Sequence, residues 1–277
     1  MPLDLTIVIP VKNEAGQLSD CLNAIGVGFA KKIVVVDSTS TDETPLIAKR
    51  YGAELINFTW NGHFPKKRNW YLRNHKPDTA WIMFLDADEY LTDDFKNELI
   101  TTLKNNTQHH GFILKYSIYF MNKKMTGGYP LKKLALFRVD AGEYERIEED
   151  HWSHLDMEIH EHPIINGSVG IIRSKIDHRD NKSIDAYWKK HQEYASWEAR
   201  RYLRLKADQL NVQWSFQQQI KYLLIQTPLI GPCFFIGSYF LMGGFINGYR
   251  GLAFNILKAA YFTLIYCKIK EYQQISS

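Results

Sequence analysis

The sequence is poor in cysteine and lacks a signal sequence. Its 277 residues include three cysteines, Cys21, Cys233 and Cys267, and their spacing fits neither a disulfide framework nor a zinc site, which favours a reducing compartment. No charged and apolar leader precedes the first predicted strand. We therefore expect the N-terminal part of the protein to stay in the cytoplasm.

Several nucleotide-binding motifs are also missing. No glycine-rich phosphate loop follows the first predicted strand, which argues against a dinucleotide enzyme. No Gly-Lys-Ser/Thr sequence is present, which argues against a P-loop kinase or ATPase. We find no nucleic-acid-binding motif either. Any phosphate that the protein binds must therefore be neutralised by a metal or by side chains.

The positive charge is concentrated at one end of the chain. The whole sequence has a net charge of +4, whereas residues 182–277 hold 12 Lys/Arg and 5 Asp/Glu, a balance of +7. The first 181 residues are therefore acidic, at −3. A basic tail rich in aromatic residues indicates an anionic surface as partner, a membrane before a nucleic acid.

Short apolar runs alternate with helical patterns in the first 90 residues. We predict strands at 5–10, 31–37, 54–57 and 81–85, and this alternation is typical of an α/β fold with a Rossmann-like, mostly parallel sheet and flanking helices. Acidic residues follow three of these strands, and ligands bind at the carboxyl edge of such sheets. The pattern places Glu14, Asp37, Asp86 and Asp88 on one rim.

Three carboxylates crowd the end of the fourth strand, in Asp86-Ala-Asp88-Glu89. Carboxylates this close repel one another unless a cation joins them. Mg²⁺ or Mn²⁺ suits oxygen ligands, and phosphates commonly complete the shell of the metal. The alternative is a polar turn whose acids cap the next helix.

Two further segments could contact a nucleotide. Asp37, at the end of the second strand, could accept a hydrogen bond from a ribose hydroxyl or a base N–H, or it could be a helix N-cap. The basic run Lys66-Lys-Arg68-Asn69 could neutralise phosphate, or it could be a solvated helix start.

Four motifs occur in the same order as in a known family. Thr6-Ile-Val-Ile-Pro-Val-Lys-Asn-Glu14, Val34-Val-Val-Asp-Ser-Thr-Ser-Thr-Asp-Glu-Thr44, Lys67-Arg-Asn69 and Phe84-Leu-Asp-Ala-Asp-Glu89 resemble the family 2 glycosyltransferases of GT-A fold. The resemblance implies a nucleotide-sugar donor, a divalent metal and usually inversion at the anomeric carbon. It also implies donor-binding residues, which are Pro10, Glu14, Asp37, Arg68, Asp86 and Asp88.

The resemblance also implies a division of the chain. Residues 1–181 would be the catalytic domain, with a nucleotide-sugar half at 1–90 and an acceptor half at 91–181. Residues 182–277 would be a helical, membrane-associating tail. Asp88 would hold the metal, and His178 could be an additional ligand of the metal or the diphosphate, or a partly buried structural histidine.

The acceptor half contains a dense group of acids and histidines. Inversion needs a base to take the proton of the acceptor hydroxyl, and Ile159-His-Glu-His162 resembles a His-Glu signature of lipopolysaccharide-core β-glucosyltransferases. By that resemblance Glu161 is the base, with His160 beside it. Asp150 is the rival, and a solvated polar loop is the alternative. Irregular histidine spacing argues against a zinc site.

The tail combines a basic helical pattern, at 183–210, with two apolar stretches. Residues 228–246 carry no charge, and 251–267 contain Lys258. The first stretch is marginally long enough for a membrane span but contains Pro228, Pro232 and four glycines, and the second is short. We therefore expect a helical hairpin that dips into one leaflet; a single span and a dimer interface are the alternatives. The motif at 240–251 is similar to the tail of the same lipopolysaccharide-core group, with Asn247 where Asp is usual.

Together these patterns predict a membrane-associated transferase. It would move a hexose from a nucleotide sugar, UDP-linked, to a glycolipid or polysaccharide acceptor of lipopolysaccharide type, at the cytoplasmic face of the membrane and without nucleic acid. The alternatives are a polyprenyl-phosphate sugar transferase, which would not need Glu161, and a non-catalytic protein that binds nucleotide sugars at a membrane.

Overall fold

The computed structural model describes residues 1–105, 108–147, 155–158, 161–180, 183–207 and 216–275. Within these residues the chain divides into two compact units. The first unit is Met1–Ile118 with Leu131–Arg179, and the second is Tyr119–Pro130 with Asp180–Ser277. The functional halves predicted from the sequence stay a prediction.

The strands follow the apolar runs of the sequence closely. The described residues form β1 (Leu3–Val11), β2 (Ala30–Asp37), β3 (Glu54–Asn57), β4 (Trp81–Phe84), β5 (Glu89–Tyr90), β6 (Gly111–Phe120), β7 (Lys123–Lys124), β8 (Lys132–Arg138), β9 (Gly142–Tyr144), β10 (Pro163–Ile165) and β11 (Val169–His178). The strands predicted in the first 90 residues appear with bounds that shift by at most two residues.

Within the described residues, nine of these strands make one sheet in the order β3-β2-β1-β4-β8-β6-β11-β5, with β7 paired to β6. The ladders from β3 to β4 are all parallel. Beyond β4, strand β8 is antiparallel to both of its neighbours, and β11 is parallel to β6. The predicted α/β class with flanking helices is confirmed, and the sheet is mixed.

Helices cover the sheet of the first unit. They are α1 (Ala15–Ile25), α2 (Thr44–Arg50), α3 (Lys67–Asn74) and α4 (Asp93–Lys104). The side chain of Thr92 caps α4 by accepting a hydrogen bond from the Phe95 N–H at 3.2 Å. All of β4 is buried, as expected for a strand with helices on both faces.

Parallel pairing brings the polar ends of the strands to one edge. Val11, at the end of β1, lies level with Asp37, at the end of β2. Val8 of β1 lies level with Phe84, at the end of β4. The predicted rim therefore exists, with Asp37 and Asp86 on it and Glu14 three residues beyond the end of β1.

The second unit is helical. Its helices are α5 (Ile184–Ala207), α6 (Phe216–Leu224), α7 (Ile230–Phe235), a π-helical stretch (Ile236–Leu241), a 3₁₀ turn (Gly244–Asn247) and α8 (Gly248–Ile275). The uncharged run at 228–246 is thus broken before Gly243, which has a φ of 74°. Among the described residues, Gly244–Ile275 is the helical stretch long and apolar enough to cross a membrane by length and composition.

Candidate functional site

Two loops join at the rim. After β1, the Asn13 N–H donates to Ser40 Oγ at 2.8 Å, and the Asn13 side-chain oxygen accepts from the Thr41 N–H at 2.8 Å. Asn13 adopts a φ of 56°, a left-handed conformation that asparagine tolerates well. The Glu14 N–H donates to Thr44 Oγ1 at 2.9 Å. The loop after β1 is therefore held against the loop after β2.

Asp37 is buried and organises the second loop. One of its carboxylate oxygens accepts from the Ser40 N–H at 3.0 Å, and the other accepts from the Ser40 hydroxyl. The helix that follows begins at Thr44, so Asp37 stabilises a turn and does not cap α2. Pro10 lies buried within β1, level with Val36. It shapes the strand end from behind the rim.

Asp86 lies between two cations. One carboxylate oxygen is 2.7 Å from the Arg68 guanidinium, and the other is 2.7 Å from Lys133 Nζ. Lys133 Nζ is also 2.5 Å from Glu89, whose second oxygen accepts from the Asp86 N–H at 3.1 Å. The side chains of Arg68, Asp86, Glu89 and Lys133 form one cluster, which we call the rim charge cluster.

Burial and charge compete in the rim charge cluster. Burial alone would raise the pKa of Asp86, but Lys133 and Arg68 outweigh it and hold that pKa below its ordinary value. The pKa of Glu89 is raised, mainly by burial. Burial works against the charge of Lys133, yet the two carboxylates keep its pKa above the usual range. At neutral pH, Asp86 is therefore a firmly ionised acceptor between two fixed cations.

Asp88 and His178 form a second pair beside this cluster. His178 Nε2 lies 3.4 Å from Asp88 Oδ2, and the Arg179 N–H donates to the Asp88 carbonyl at 2.8 Å. The pairing follows from the sheet, because the antiparallel register of β11 and β5 places His178 level with Glu89. Burial lowers the pKa of His178, but Asp88 reverses the effect and raises it above the ordinary value.

The start of α3 is built around a buried carboxylate. Glu158 accepts hydrogen bonds from the N–H groups of Arg68 at 2.9 Å and Asn69 at 3.0 Å, which otherwise lack partners at a helix N-terminus. The Arg68 guanidinium also donates to the Glu158 carbonyl. Glu158 therefore fixes the direction in which Arg68 reaches Asp86.

Two lysines at the start of α3, the N-cap residue Lys66 and the first helical residue Lys67, reach in different directions. Lys67 Nζ donates to the carbonyl of Val11, at the end of β1, at 3.0 Å. Lys66 Nζ lies 3.1 Å from Glu161 Oε1, and both of these side chains are almost fully buried. Glu161 is thus held at the start of the helix that carries Arg68. His160 and the rival Asp150 lie outside the described residues.

A divalent metal would need oxygen atoms of a bound ligand to complete its coordination at this site. Among the described residues, no group of three or more His, Cys, Asp and Glu side chains is placed to hold a metal. Both oxygens of Asp86 are engaged by cations, which leaves Asp88 and His178 as a carboxylate–imidazole pair. Such a pair suits Mn²⁺ or Mg²⁺ when phosphate oxygens fill the remaining positions.

Sequence reasoning missed Lys133, the centre of the rim charge cluster. Strands β4 and β8 pair antiparallel, from Trp81 with Arg138 to Met83 with Leu136. Extending that register by three residues places Lys133 level with Asp86. The signal was a lysine at the start of the apolar run 133–138, which by itself predicts a strand, but the meaning of that lysine depends on which strand β8 pairs with.

Comparison with known proteins places the first half of the chain in one family. Residues 6–141 match the family model described as Glycosyl transferase family 2. An uncharacterised glycosyltransferase of Rickettsia bellii is 29% identical over 43% of this chain, a stretch that covers 40% of the relative's own length. The lipopolysaccharide core biosynthesis glycosyltransferase LpsC of Rhizobium meliloti is 27% identical over 93% of this chain and 91% of its own.

Solved structures give more distant likenesses. Glucosyl-3-phosphoglycerate synthase of Mycobacterium tuberculosis, solved with Mn²⁺, UDP and glucosyl-3-phosphoglycerate, is 20% identical over 42% of this chain and 44% of its own, with a TM-score of 0.33. TarS of S. aureus is 16% identical over 80% of this chain and 42% of its own, with a TM-score of 0.42.

Proposed function

Residues 6–141 belong to glycosyl transferase family 2, and from that premise we propose that the chain moves a hexose from a nucleotide sugar to a membrane glycan. The observation that carries the proposal is the rim charge cluster beside the Asp88–His178 pair. Buried charges of this kind suit a charged ligand such as a nucleoside diphosphate. We propose UDP as the nucleoside diphosphate.

The residues on the donor side would contact different parts of the nucleotide sugar. Asp37 and Glu14 lie on the two joined loops and would contact the nucleoside, with Pro10 shaping the strand end behind them. Arg68 and Lys133 offer positive charge for the diphosphate, and Asp86 would hold the ribose. Asp88 and His178 would hold Mn²⁺ or Mg²⁺, which neutralises charge on the departing diphosphate when it is bound.

The acceptor side rests on Glu161. In an inverting transfer, the acceptor hydroxyl oxygen bonds to the anomeric carbon, the bond from that carbon to the diphosphate breaks, and its electron pair leaves with the nucleotide. Glu161 would take the hydroxyl proton. Lys66, 3.1 Å away, orients the carboxylate and is a positioning residue.

The acceptor we propose is a lipid-anchored or lipopolysaccharide-type glycan at the cytoplasmic face of the membrane. The support is the similarity to the lipopolysaccharide core biosynthesis glycosyltransferase of Rhizobium meliloti, which extends along most of both chains, together with the basic, apolar tail. A polyprenyl phosphate acceptor would need no base, because its oxygen is already ionised, and Glu161 separates the two acceptors experimentally.

Donor hydrolysis by the purified full chain tests the proposal. UDP-, GDP- and dTDP-sugars are incubated with Mn²⁺ or with chelator, with and without a membrane glycolipid extract. We expect release of UDP that depends on metal. Asp88→Ala should abolish this release, and the exposed control Asp94→Ala should retain it. Glu161→Gln should keep donor binding but lose transfer, typically by about 10²–10⁴.

Two outcomes would contradict the proposal. If donor binds in calorimetry and no nucleotide is released under any condition, the chain is a binding protein. If Glu161→Gln transfers sugar to a lipid phosphate as fast as the unaltered chain, the acceptor is a phosphate and not a hydroxyl.

A further inference from the structure

The second unit exposes apolar side chains in a regular pattern. On the arm that contains α7, the exposed residues include Leu229, Cys233, Ile236 and Phe240. On the arm that leads into α8, they include Phe245, Tyr249, Leu252 and Ile256. Both sets follow the spacing of four, three and four residues that places side chains on one face of a helix.

The two arms form a hairpin with a broken tip. Near the open end, Gly231 packs so closely on α8 that a Cβ there would overlap Thr263, and the rings of Phe234 and Phe262 lie 4.7 Å apart. The tip includes Leu241, which is 81% exposed, and Ile246, which is 65% exposed. Large apolar side chains this exposed on neighbouring turns indicate a surface that a membrane or another protein covers.

The length of the hairpin limits how deep it can reach. The arm at 229–241 would be about 20 Å long at a rise of about 1.5 Å per residue, whereas the hydrocarbon core of a bilayer is about 30 Å thick. The second half of α8 buries Tyr261, Ile265 and Ile269 in a cluster that includes residues of the charged helix α5. That half is occupied by protein contacts, so the exposed part of the hairpin reaches one leaflet only.

A basic segment is fixed to the tip. The Asn247 side-chain oxygen accepts from the Thr126 N–H at 2.8 Å, and its NH₂ group donates to the Gly127 carbonyl at 3.1 Å. The Gly128 N–H donates to the Met242 carbonyl at 2.8 Å. The exposed residues of β7, Lys124 and Lys123, lie two and three residues before Thr126, and three residues span at most about 11 Å.

We propose that the exposed apolar face of this hairpin lies in the interface of one leaflet of an anionic lipid bilayer, where Phe240, Leu241, Phe245 and Ile246 reach only the outer part of the acyl chains and Lys123, Lys124 and Arg250 stay at the headgroup phosphates. Between residues 228 and 257 Arg250 is the sole charge in the sequence. An apolar face next to cationic side chains matches the interface of an anionic membrane. The inference deepens the proposed function, because it rests on the tail bringing a transferase to a lipid acceptor.

Vesicle binding by the full chain tests the inference. The chain is mixed with vesicles of phosphatidylcholine alone, or of phosphatidylcholine with phosphatidylglycerol, and the bound fraction is measured by flotation. Phe245→Ser with Ile246→Ser should weaken partitioning to both kinds of vesicle by about tenfold or more, since two large apolar side chains are lost. Lys123→Glu with Lys124→Glu should weaken binding to the anionic vesicles alone.

Matched controls and the donor assay keep the outcomes distinct. Leu223→Ser, at an exposed apolar position outside the hairpin, and Lys49→Glu, in the first unit, should bind vesicles as the unaltered chain does. All four variants should release nucleotide from donor at the unaltered rate. If none of the chains turns over donor, the proposed function is refuted. The vesicle-binding measurement still tests the membrane inference by itself.

Three results would overturn the inference. One is unchanged vesicle binding in both double variants. Another is a C-terminus that is protected from protease inside sealed vesicles, which would mean a span. The last is a dimer in detergent-free solution that Phe245→Ser dissociates without any vesicle binding, which would mean that a second copy covers the face.

Discussion

The rim of the first unit and the hairpin of the second depart from ordinary burial in opposite directions. The rim charge cluster holds charged side chains that are partly or fully buried, from Lys133 at 34% exposed to Glu89 at 1%. The hairpin leaves large apolar side chains in the open, with Leu241 81% exposed. Charged residues are seldom fully buried, and large exposed apolar patches are uncommon in soluble proteins.

The contrast shows how each region depends on something outside the chain. Buried ion pairs are weak sources of stability, because desolvation offsets most of their attraction. An exposed apolar face contributes no hydrophobic free energy until it is removed from water. Our two proposals therefore explain both regions by what they would bind, a charged donor at the rim and lipid at the hairpin.

Removal of Lys133 should produce the largest loss of stability among substitutions at the rim. Lys133→Met leaves Asp86 and the buried Glu89 without their shared cation. Breaking a fully buried pair on one side typically costs about 3–5 kcal/mol, and because the Lys133 side chain is 34% exposed, solvent screening should bring the cost below that range. We expect a clear drop in the denaturant midpoint of the full chain, together with weaker donor binding in calorimetry.

The neighbouring residue provides the control for this variant. Lys132→Met removes the same charge from an exposed position one residue away, and we expect a change within about 0.5 kcal/mol. Equal effects of the two substitutions would mean that net charge, and not the rim charge cluster, sets the stability.

Acid should destabilise the second unit through His191. Its Nδ1 lies 2.8 Å from the Tyr187 carbonyl and its Nε2 lies 3.0 Å from Lys258 Nζ, so the ring is neutral, donating to the first and accepting from the second. Burial, with help from Lys258, lowers the pKa of His191 to about 3. Between that value and the ordinary one near 6.5, the unfolded chain holds the extra proton, so stability is lost as pH falls, by up to about 1.4 kcal/mol per pH unit.

Urea unfolding followed by the helical circular dichroism signal measures this slope. His191→Gln stays neutral at every pH and should flatten it relative to the unaltered chain, even though Asp180 and Lys190 also lie near the site. The same slope in both chains would show that His191 is not the group responsible.

Most of the fold was predictable because its signals are local. The apolar runs before Asp37 and Asp86 are short, bounded by polar residues and separated by helical patterns, so strand type and order follow from the sequence alone. What the sequence could not provide is the partner of each later strand. The pattern that predicted a strand ending at Arg138 did not say that it pairs antiparallel to β4.

The same limit applies to the candidate site. Asp86 and Asp88 could be placed on the rim because they directly follow a buried strand. The contacts of Asp86 with Lys133 and of Asp88 with His178 depend on residues that are distant in sequence, and their meeting requires the register of β8 and β11. Glu161 was selected by resemblance, and its ion pair with Lys66 came only from the structure; the roles of these residues stay predictions.

Asn247, at the tip of the hairpin, uses both the oxygen and the NH₂ group of its side-chain amide. Its oxygen accepts from Thr126 while its NH₂ group donates to two carbonyls, those of Gly127 and Gly244, each at 3.1 Å. Asn247→Asp would place a carboxylate oxygen against those carbonyls, at a cost of about 1–3 kcal/mol. Asn247→Ala removes the bonds without adding repulsion and should cost less, as denaturant midpoints would reveal; the reverse order would show that the amide donors contribute nothing.

The smallest effect on stability should come from the hairpin face itself. Phe245→Ser changes a side chain that is 53% exposed, and substitutions at exposed positions usually change unfolding by no more than about 0.5 kcal/mol. Phe254 lies nine residues further along the chain, in α8, and the centroid of its buried ring is 5.3 Å from that of Phe120. Phe254→Ser should lower the free energy of unfolding by about 3 kcal/mol or more. If Phe245→Ser is as destabilising as Phe254→Ser in detergent-free solution, the exposed face is already covered by protein, and the opposition between a charged interior and an apolar exterior no longer holds.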